Sequence, residues 1–306
     1  MALSLQATAA GFARAGAVDA EACGVYERWI TTGRHGTMDY CARYQDVRTH
    51  PALLLEGART VISCAFCYNS GIEPQPDGPT IARYALGADY HYVLKDRLNR
   101  LGEWITARYG GQTRALVDTA PMRERYWAVQ AGIGFIGLNN QLIIPGAGSY
   151  FFLGELLWTG EVPPDEPCRL SCDGCGRCVK ACPGGALDGC GGCDARRCLS
   201  YLTIEHRSAP DEMPDSIPRH GYVYGCDICQ RVCPHNAKAP LTTIEEFTPD
   251  PRKINLKPDD IRTMTSSGYK RFTAGSAMRR IPLKRLQYNM SILKDSGGAG
   301  GGEHLG

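Results

Sequence analysis

Cys172-Asp-Gly-Cys175-Gly-Arg-Cys178-Val-Lys-Ala-Cys182-Pro183 and Cys226-Asp-Ile-Cys229-Gln-Arg-Val-Cys233-Pro234 are the two stretches from which the fold is read. The first spaces its cysteines as C-x2-C-x2-C-x3-C-P. The second lacks only the first cysteine of that run, and Cys198 upstream supplies a fourth thiol. In paired runs of this kind the fourth cysteine of one run ligates the cluster of the other. The spacing therefore predicts one [4Fe–4S] cluster on Cys172, Cys175, Cys178 and Cys233. It predicts a second on Cys226, Cys229, Cys182 and Cys198. Cysteine pairs also build zinc sites, but zinc ribbons seldom show three cysteines at two-residue spacing and then a Cys-Pro. No secretory signal is visible, so disulfides are not expected.

Outside these runs the composition is ordinary. The chain has 306 residues, 43% hydrophobic and 22% charged, enough for one or two domains. No apolar run approaches the length of a membrane span. Met1 to Gly16 reads as mature protein rather than a signal peptide, so the cytoplasm is the expected compartment.

Residues 3–22 read as a helix, a turn at Gly11-Phe12 and a short strand, followed by helix to about Ile30. Arg59–Tyr68 is apolar and β-branched, a buried strand. Tyr90–Tyr109 has helical spacing and stops at Gly110-Gly111. Arg114–Asp118 reads as a strand, and a helix is expected from Pro121 to Gly132 with Met122, Tyr126 and Val129 on one face. Leu142–Pro145 and Tyr150–Leu153 read as further strands. The expected fold class is α+β or α/β. An α/β domain spans 1–163, a ferredoxin-like double-cluster domain 164–240, and a basic helical segment 241–295 packs on the core. Residues 296–306 read as a disordered tail.

Several features carry chemistry. Gly132-x-Gly134-x-x-Gly137 matches a dinucleotide fingerprint as a string, but a helix precedes it, so it reads as a helix-to-strand turn. Asp118-Thr-Ala-Pro121 ends a strand and opens a helix. Asp118 is either a general acid facing a pocket or, with Thr119, a helix cap. Cys23, Cys41, Cys64 and Cys67 read as structural thiols. Cys190 and Cys193 lie between the two runs in a flexible loop and are open to reading as free thiols, a redox pair or replacement ligands; with eight ligands already assigned, the non-ligand reading is favoured. His91, His206, His220 and His235 lack zinc spacing and read as surface or hydrogen-bonding residues. From Arg252 to Lys294 there are eleven Lys or Arg against two acids, a balance of +9, with Tyr269, Phe272 and Tyr288 interleaved. Such a stretch is either a nucleic-acid footprint or a solvated basic face.

Ala82-Arg-Tyr-Ala-Leu-Gly-Ala-Asp-Tyr-His91, Val117-Asp-Thr-Ala-Pro-Met-Arg-Glu-Arg125, Ala131–Gly137, Gly148–Glu155, Cys198–Glu205 and Gly225–Pro234 together resemble the epoxyqueuosine reductases. These are cobalamin-dependent iron–sulfur enzymes that finish queuosine in tRNA. The resemblance implies a base-off cobalamin between the N-terminal and cluster domains, contacted by Arg48, Asp118, Asn139, Ser149 and Tyr201. It implies Asp118 as proton donor and two clusters as an electron relay from an unidentified low-potential donor. The basic segment, densest at Arg271, Arg279, Arg280, Lys284 and Arg285, would grip a tRNA anticodon stem-loop. A monomer is expected. The chain departs from the family at Leu138 and Asn140, where Gly-Lys-Asn-Thr is usual, and in carrying Cys190 and Cys193. It also ends before the helical-repeat extension of some members. Two alternatives stand beside this reading: a two-cluster electron-transfer protein, and a cobalamin-dependent reductase of a small molecule.

Overall fold

Among the described residues eight strands form: β1 (Ala9–Arg14), β2 (Thr60–Cys67), β3 (Thr80–Ile81), β4 (Thr113–Leu116), β5 (Phe135–Ile136), β6 (Leu142–Ile143), β7 (Phe151–Trp158) and β8 (Tyr222–Tyr224). They come from a computed structural model, which describes residues 1–73, 78–207 and 217–296. The tail after Ser296 and part of the turn-rich 69–79 stretch lie outside the described residues.

The main sheet has the order β1-β2-β7-β4, and every pairing in it is antiparallel. It is thus the α+β form of the mixed fold, and the rule placing ligands at the ends of parallel strands does not locate its site. All eight residues of β2 are buried. Side chains alternate across a strand. Ile62, Cys64 and Phe66 therefore meet Leu94, Leu98, Leu101 and Ile105 of the helix Tyr90–Tyr109 on one face. Val61 and Ala65 meet Trp127 and Ala128 of the helix Glu124–Gln130 on the other. Burial of each large apolar side chain here contributes about 1.5–3 kcal/mol.

The strand Thr60–Cys67 and the helix Tyr90–Tyr109 fall where the sequence pattern puts them. Cys64 and Cys67 are buried in the sheet. The start of the chain differs. Only a short 3₁₀ turn forms at Leu3–Leu5, and Gly11-Phe12 lies inside β1 rather than in a turn. Gly11 is needed for contact, not for bending: a Cβ there would stand 1.9 Å from the Ala131 carbonyl oxygen. The helix expected at Pro121 starts only at Glu124; the residues from Asp118 to Arg123 form a loop that buries Met122. After that helix, Gly132 takes φ +71° and the chain turns into β5, so the glycine string is a turn.

The two cysteine runs are sewn to the N-terminal sheet. β3 pairs in parallel with β8, immediately before Cys226. Within the second run, the buried Asp227 accepts the Arg83 N–H at 2.8 Å. Gln230 Nε2 donates to the Ser149 carbonyl at 2.9 Å, and Asn236 Nδ2 to Ser149 Oγ at 2.9 Å. The C-terminal helices are amphipathic. Leu256, Ile261, Phe272, Met278, Ile281, Leu286 and Met290 bury themselves against Ile81, Leu86, Val223 and Tyr224. Among the described residues no helix is long and apolar enough to cross a membrane.

Gly11→Ala should cost about 1–3 kcal/mol in chemical denaturation, the usual penalty of forcing extra atoms into a packed contact. An unchanged midpoint would contradict the packing of Ala131 on β1.

Candidate active site and cluster ligands

Asp118 follows β4 with φ +32°, a backbone conformation non-glycine residues rarely adopt. The Glu124 carboxyl holds it there, accepting the Asp118 N–H at 2.5 Å. Tyr90 Oη donates to Asp118 Oδ2 at 2.7 Å. His91 Nε2 donates to the same oxygen at 3.0 Å, and its Nδ1 pairs with Asp89 Oδ1 at 2.6 Å. Both rings lie at the first turn of the helix Tyr90–Tyr109, and Asp89 caps that helix. Tyr90 is fixed by stacking on Phe152 at 4.3 Å.

Charges follow from this geometry. Burial disfavours the Asp118 carboxylate, but hydrogen bonds from His91 and Tyr90 outweigh it and hold the pKa below the ordinary value. Burial likewise opposes the charged His91, but hydrogen bonds to Asp118 and Asp89 win and push its pKa up to about 9. The proton of the pair therefore rests on His91 at neutral pH. Burial, then the charge of Asp118, pushes Glu124 up to about 8. Below it, the fully buried Glu155 accepts from Ser63 Oγ at 3.3 Å, and burial raises it well above the usual carboxyl range.

A second group closes on the acid from distant parts of the chain. Arg280 is bidentate to Glu205, at 2.9 and 2.8 Å, and lies 5.6 Å over the Tyr40 ring. Arg280 and Asp118 feel each other's charge. Asp118 has a side chain 53% exposed, and Arg125 is exposed too, yet both are enclosed by protein on most sides. Asp118 thus sits in a recess of the surface that is open to solvent. A cavity of about 290 Å³ adjoins it, lined by His91, Lys95 and Thr119–Pro121 among others.

The eight cysteines assigned from the spacing lie in two groups. Cys172, Cys175, Cys178 and Cys233 line one small cavity together with Leu138, Asn139 and Ile143. Cys226 and Cys229 lie near Cys182 and Cys198. All fifteen thiols are free of disulfides. Among the described residues no three His, Cys, Asp or Glu side chains are placed to hold a single metal ion. Backbone N–H groups point at the sulfurs: Ala186 at Cys182 at 3.2 Å, Ile228 at Cys226, and Ser200 and Tyr201 at Cys198. Four thiols around a space, with amides aimed at sulfur, fit a cubane cluster. Cys193 is also at the second set. Its thiol hydrogen-bonds to Cys198, and that bond, outweighing burial, which acts the other way, brings Cys198 down to about 6.

The expected cobalamin contacts are placed separately. Asn139 sits beside the first cysteine set, its buried Nδ2 without a partner among the described residues. Ser149 Oγ accepts from Gln230 and Asn236. Tyr201 Oη accepts the Thr37 N–H at 2.7 Å. Arg48 donates to the Tyr40 and Arg43 carbonyls. Leu138, at the family's lysine position, lines the first cluster's cavity rather than the Asp118 site. Of the basic residues, Arg271, Arg279 and Lys284 are exposed, Arg280 is paired with Glu205, and Arg285 donates to the His206 carbonyl at 2.7 Å. Lys253 of the same stretch is buried on the Ala85 and Gly87 carbonyls. The sequence reading did not single out Tyr40, Tyr90, Glu124 or Arg125, and it took His91 as an ordinary hydrogen-bonding residue. Tyr90, His91, Glu124 and Arg125 lie in motifs adjoining Asp118 or Asp89, which was the available signal.

His91 should titrate near 9 by NMR, and Asp118→Asn should bring it back toward about 6.5, the value of a free histidine. The folded pKa lies above the unfolded one. The pairing therefore stabilises the fold fully below about pH 6.5, and this contribution fades as pH rises through about 9. A wild-type midpoint near 6.5 would contradict the ion pair.

Residues 48–119 match the family model described as "Epoxyqueuosine reductase QueG, DUF1730", and residues 171–236 match "4Fe-4S double cluster binding domain". The chain is 39% identical over 289 residues to an epoxyqueuosine reductase of Gloeobacter violaceus, covering 91% of this chain and 89% of the relative. It superposes on a crystal structure of epoxyqueuosine reductase with an epoxyqueuosine-modified tRNA-Tyr stem loop, with TM-score 0.82 and 28% identity, covering 96% and 79% of the two chains. A Bacillus subtilis epoxyqueuosine reductase, described with its catalytic aspartate loop swung out of the active site, gives TM-score 0.84 and 27% identity over 96% and 79%. With that identity held over nearly all of both chains, this chain belongs to the epoxyqueuosine reductase family.

Proposed function

We propose that this chain reduces epoxyqueuosine in a tRNA anticodon loop to queuosine, with Asp118 delivering the proton to the departing epoxide oxygen. The observation that carries the residue-level reading is the strained Asp118, held by Tyr90, His91 and Glu124 in a solvent-open recess beside the cavity that His91 lines. The catalytic aspartate loop described for the Bacillus subtilis relative supports it.

The balance is one epoxide, two electrons and two protons in, one alkene and one water out. The clusters, when bound, pass low-potential electrons one at a time, and cobalamin, when bound, supplies the reducing centre. Cobalamin would lie in the recess, near Arg125 and the unpaired Asn139 amide, with Arg48, Ser149 and Tyr201 as the family-implied contacts. The protein handles the proton. Asp118 is a carboxylate in this arrangement, and its neighbour His91 holds the proton. As negative charge builds on the epoxide oxygen, the proton held by His91 passes to Asp118 and from Asp118 to that oxygen, leaving His91 neutral until it takes up a proton from solvent. Tyr90 keeps Oδ2 oriented throughout. Arg280, Glu205 and Tyr40 face the same recess and are placed to contact the modified nucleotide. Arg271, Arg279 and Lys284 would meet phosphates, as RNA readers do around a splayed loop base. The reading entails a cytoplasmic monomer served by a separate electron donor.

The test is anaerobic turnover of epoxyqueuosine-containing tRNA by the cluster-loaded, cobalamin-loaded protein, followed by nucleoside mass spectrometry. Asp118→Asn should lower the rate by about 10²–10⁴, the usual contribution of a positioned acid, with cluster content and tRNA affinity unchanged. Full activity in that variant would remove Asp118 from the reaction. The wild-type rate should fall as pH rises through about 9, where His91 loses its proton, and His91→Gln should abolish that limb. Exchanging Arg271 and Arg279 for Gln should weaken tRNA binding and flatten its salt dependence.

A further inference from the structure

The second cluster needs four thiols, and five stand at its site. Besides Cys182, Cys198, Cys226 and Cys229, the thiol of Cys193 touches Cys198 and lies close to Cys182 and Cys229. Its backbone is held from outside. The Trp29 indole N–H donates to the Cys193 carbonyl at 2.7 Å, and Cys193 bridges to Leu187, close to Cys182 in the chain. Asp194 N–H donates to the Ala186 carbonyl at 2.8 Å, and Ala195 N–H to the Arg34 carbonyl at 2.8 Å. Asp188 accepts from the Cys190 and Gly192 N–H groups and pairs with Arg34, so the loop is shaped rather than loose. That frame aims Cys193 inward while Cys190, from the same loop, stays exposed. Gly189, Gly191 and Gly192 leave the loop room to adjust, and Gly189 and Gly191 already have positive φ.

We propose that Cys193 is a reserve ligand of the second cluster. It hydrogen-bonds the Cys198 sulfur while Cys198 is bound to iron, and takes that iron when Cys198 is removed. The amides of Ser200 and Tyr201 favour Cys198 as the resident ligand. Cys193 has no such amide pair among its described contacts, but it has the position. A ligand exchange of thiolate for thiolate at one iron changes no oxidation state. The incoming thiol gives its proton to solvent, and the outgoing sulfur takes one up. The proposal rests on the reading of the two runs as cluster sites.

Anaerobic reconstitution of four chains tests it: wild type, Cys193→Ala, Cys198→Ala and the double variant. Iron and sulfide are counted, and the reduced proteins are examined by EPR. Wild type and both single variants should hold two clusters, with an altered EPR signal in Cys198→Ala, and the double variant should hold one. A Cys198→Ala protein that is folded by circular dichroism but carries one cluster, like the double variant, overturns the proposal. Wild type holding no clusters would instead overturn the underlying reading. A second measurement does not depend on Cys198→Ala folding. In Cys193→Ala, loss of the S–H donor beside Cys198 should lower the midpoint of one cluster only, and Cys193→Ser should restore it. Two unchanged midpoints in Cys193→Ala would also overturn the proposal.

Discussion

The molecule depends on how the second cysteine run is held. Asp227, between Cys226 and Ile228, is buried against the Arg83 N–H, and Gln230 and Asn236 close on Ser149 at the start of β7. A buried carboxylate and amide without these partners would carry desolvation costs of about 1–3 kcal/mol or more each. The bonds therefore fix the run against the N-terminal sheet rather than merely decorate it. Because Cys182 and Cys233 exchange sides, fixing one run positions both cluster sites.

The acid side follows a different physical logic. Two buried carboxyls, Glu124 and Glu155, lie beneath Asp118, and their burial disfavours any further negative charge. Asp118 escapes that penalty because Tyr90 and His91 donate to it. The result is an ionised Asp118 beside two carboxyls that burial keeps protonated, next to a histidine that keeps its proton between Asp118 and the likewise ionised Asp89. The strained backbone at Asp118 persists because the Glu124 side chain grips its N–H.

Much of this was legible in the sequence where the signal is local. Cysteine spacing carried the cross-run pairing, and continuous apolar character carried β2. What was not legible depends on partners far along the chain. Gly11 reads as a turn residue until Ala131 is known to press on it. His91 reads as unremarkable until Asp118 closes on its Nε2. The basic stretch reads as a uniform patch, but Lys253 is interior and Arg280 belongs to the recess with Glu205 and Tyr40. Cys193 reads as surplus until the fold sets it against Cys198. Ser149 and Tyr201 are held by bonds that tie distant parts of the chain together, Ser149 to Gln230 and Asn236 and Tyr201 to Thr37.

The central claim is that the two runs are interleaved. The most direct measurement is an iron-edge anomalous difference map from crystals of the anaerobically reconstituted protein. The account predicts two peaks, one within Cys172, Cys175, Cys178 and Cys233, the other among Cys182, Cys198, Cys226 and Cys229. A peak enclosed by Cys172, Cys175, Cys178 and Cys182 alone, with Cys233 turned to the other cluster, would contradict it.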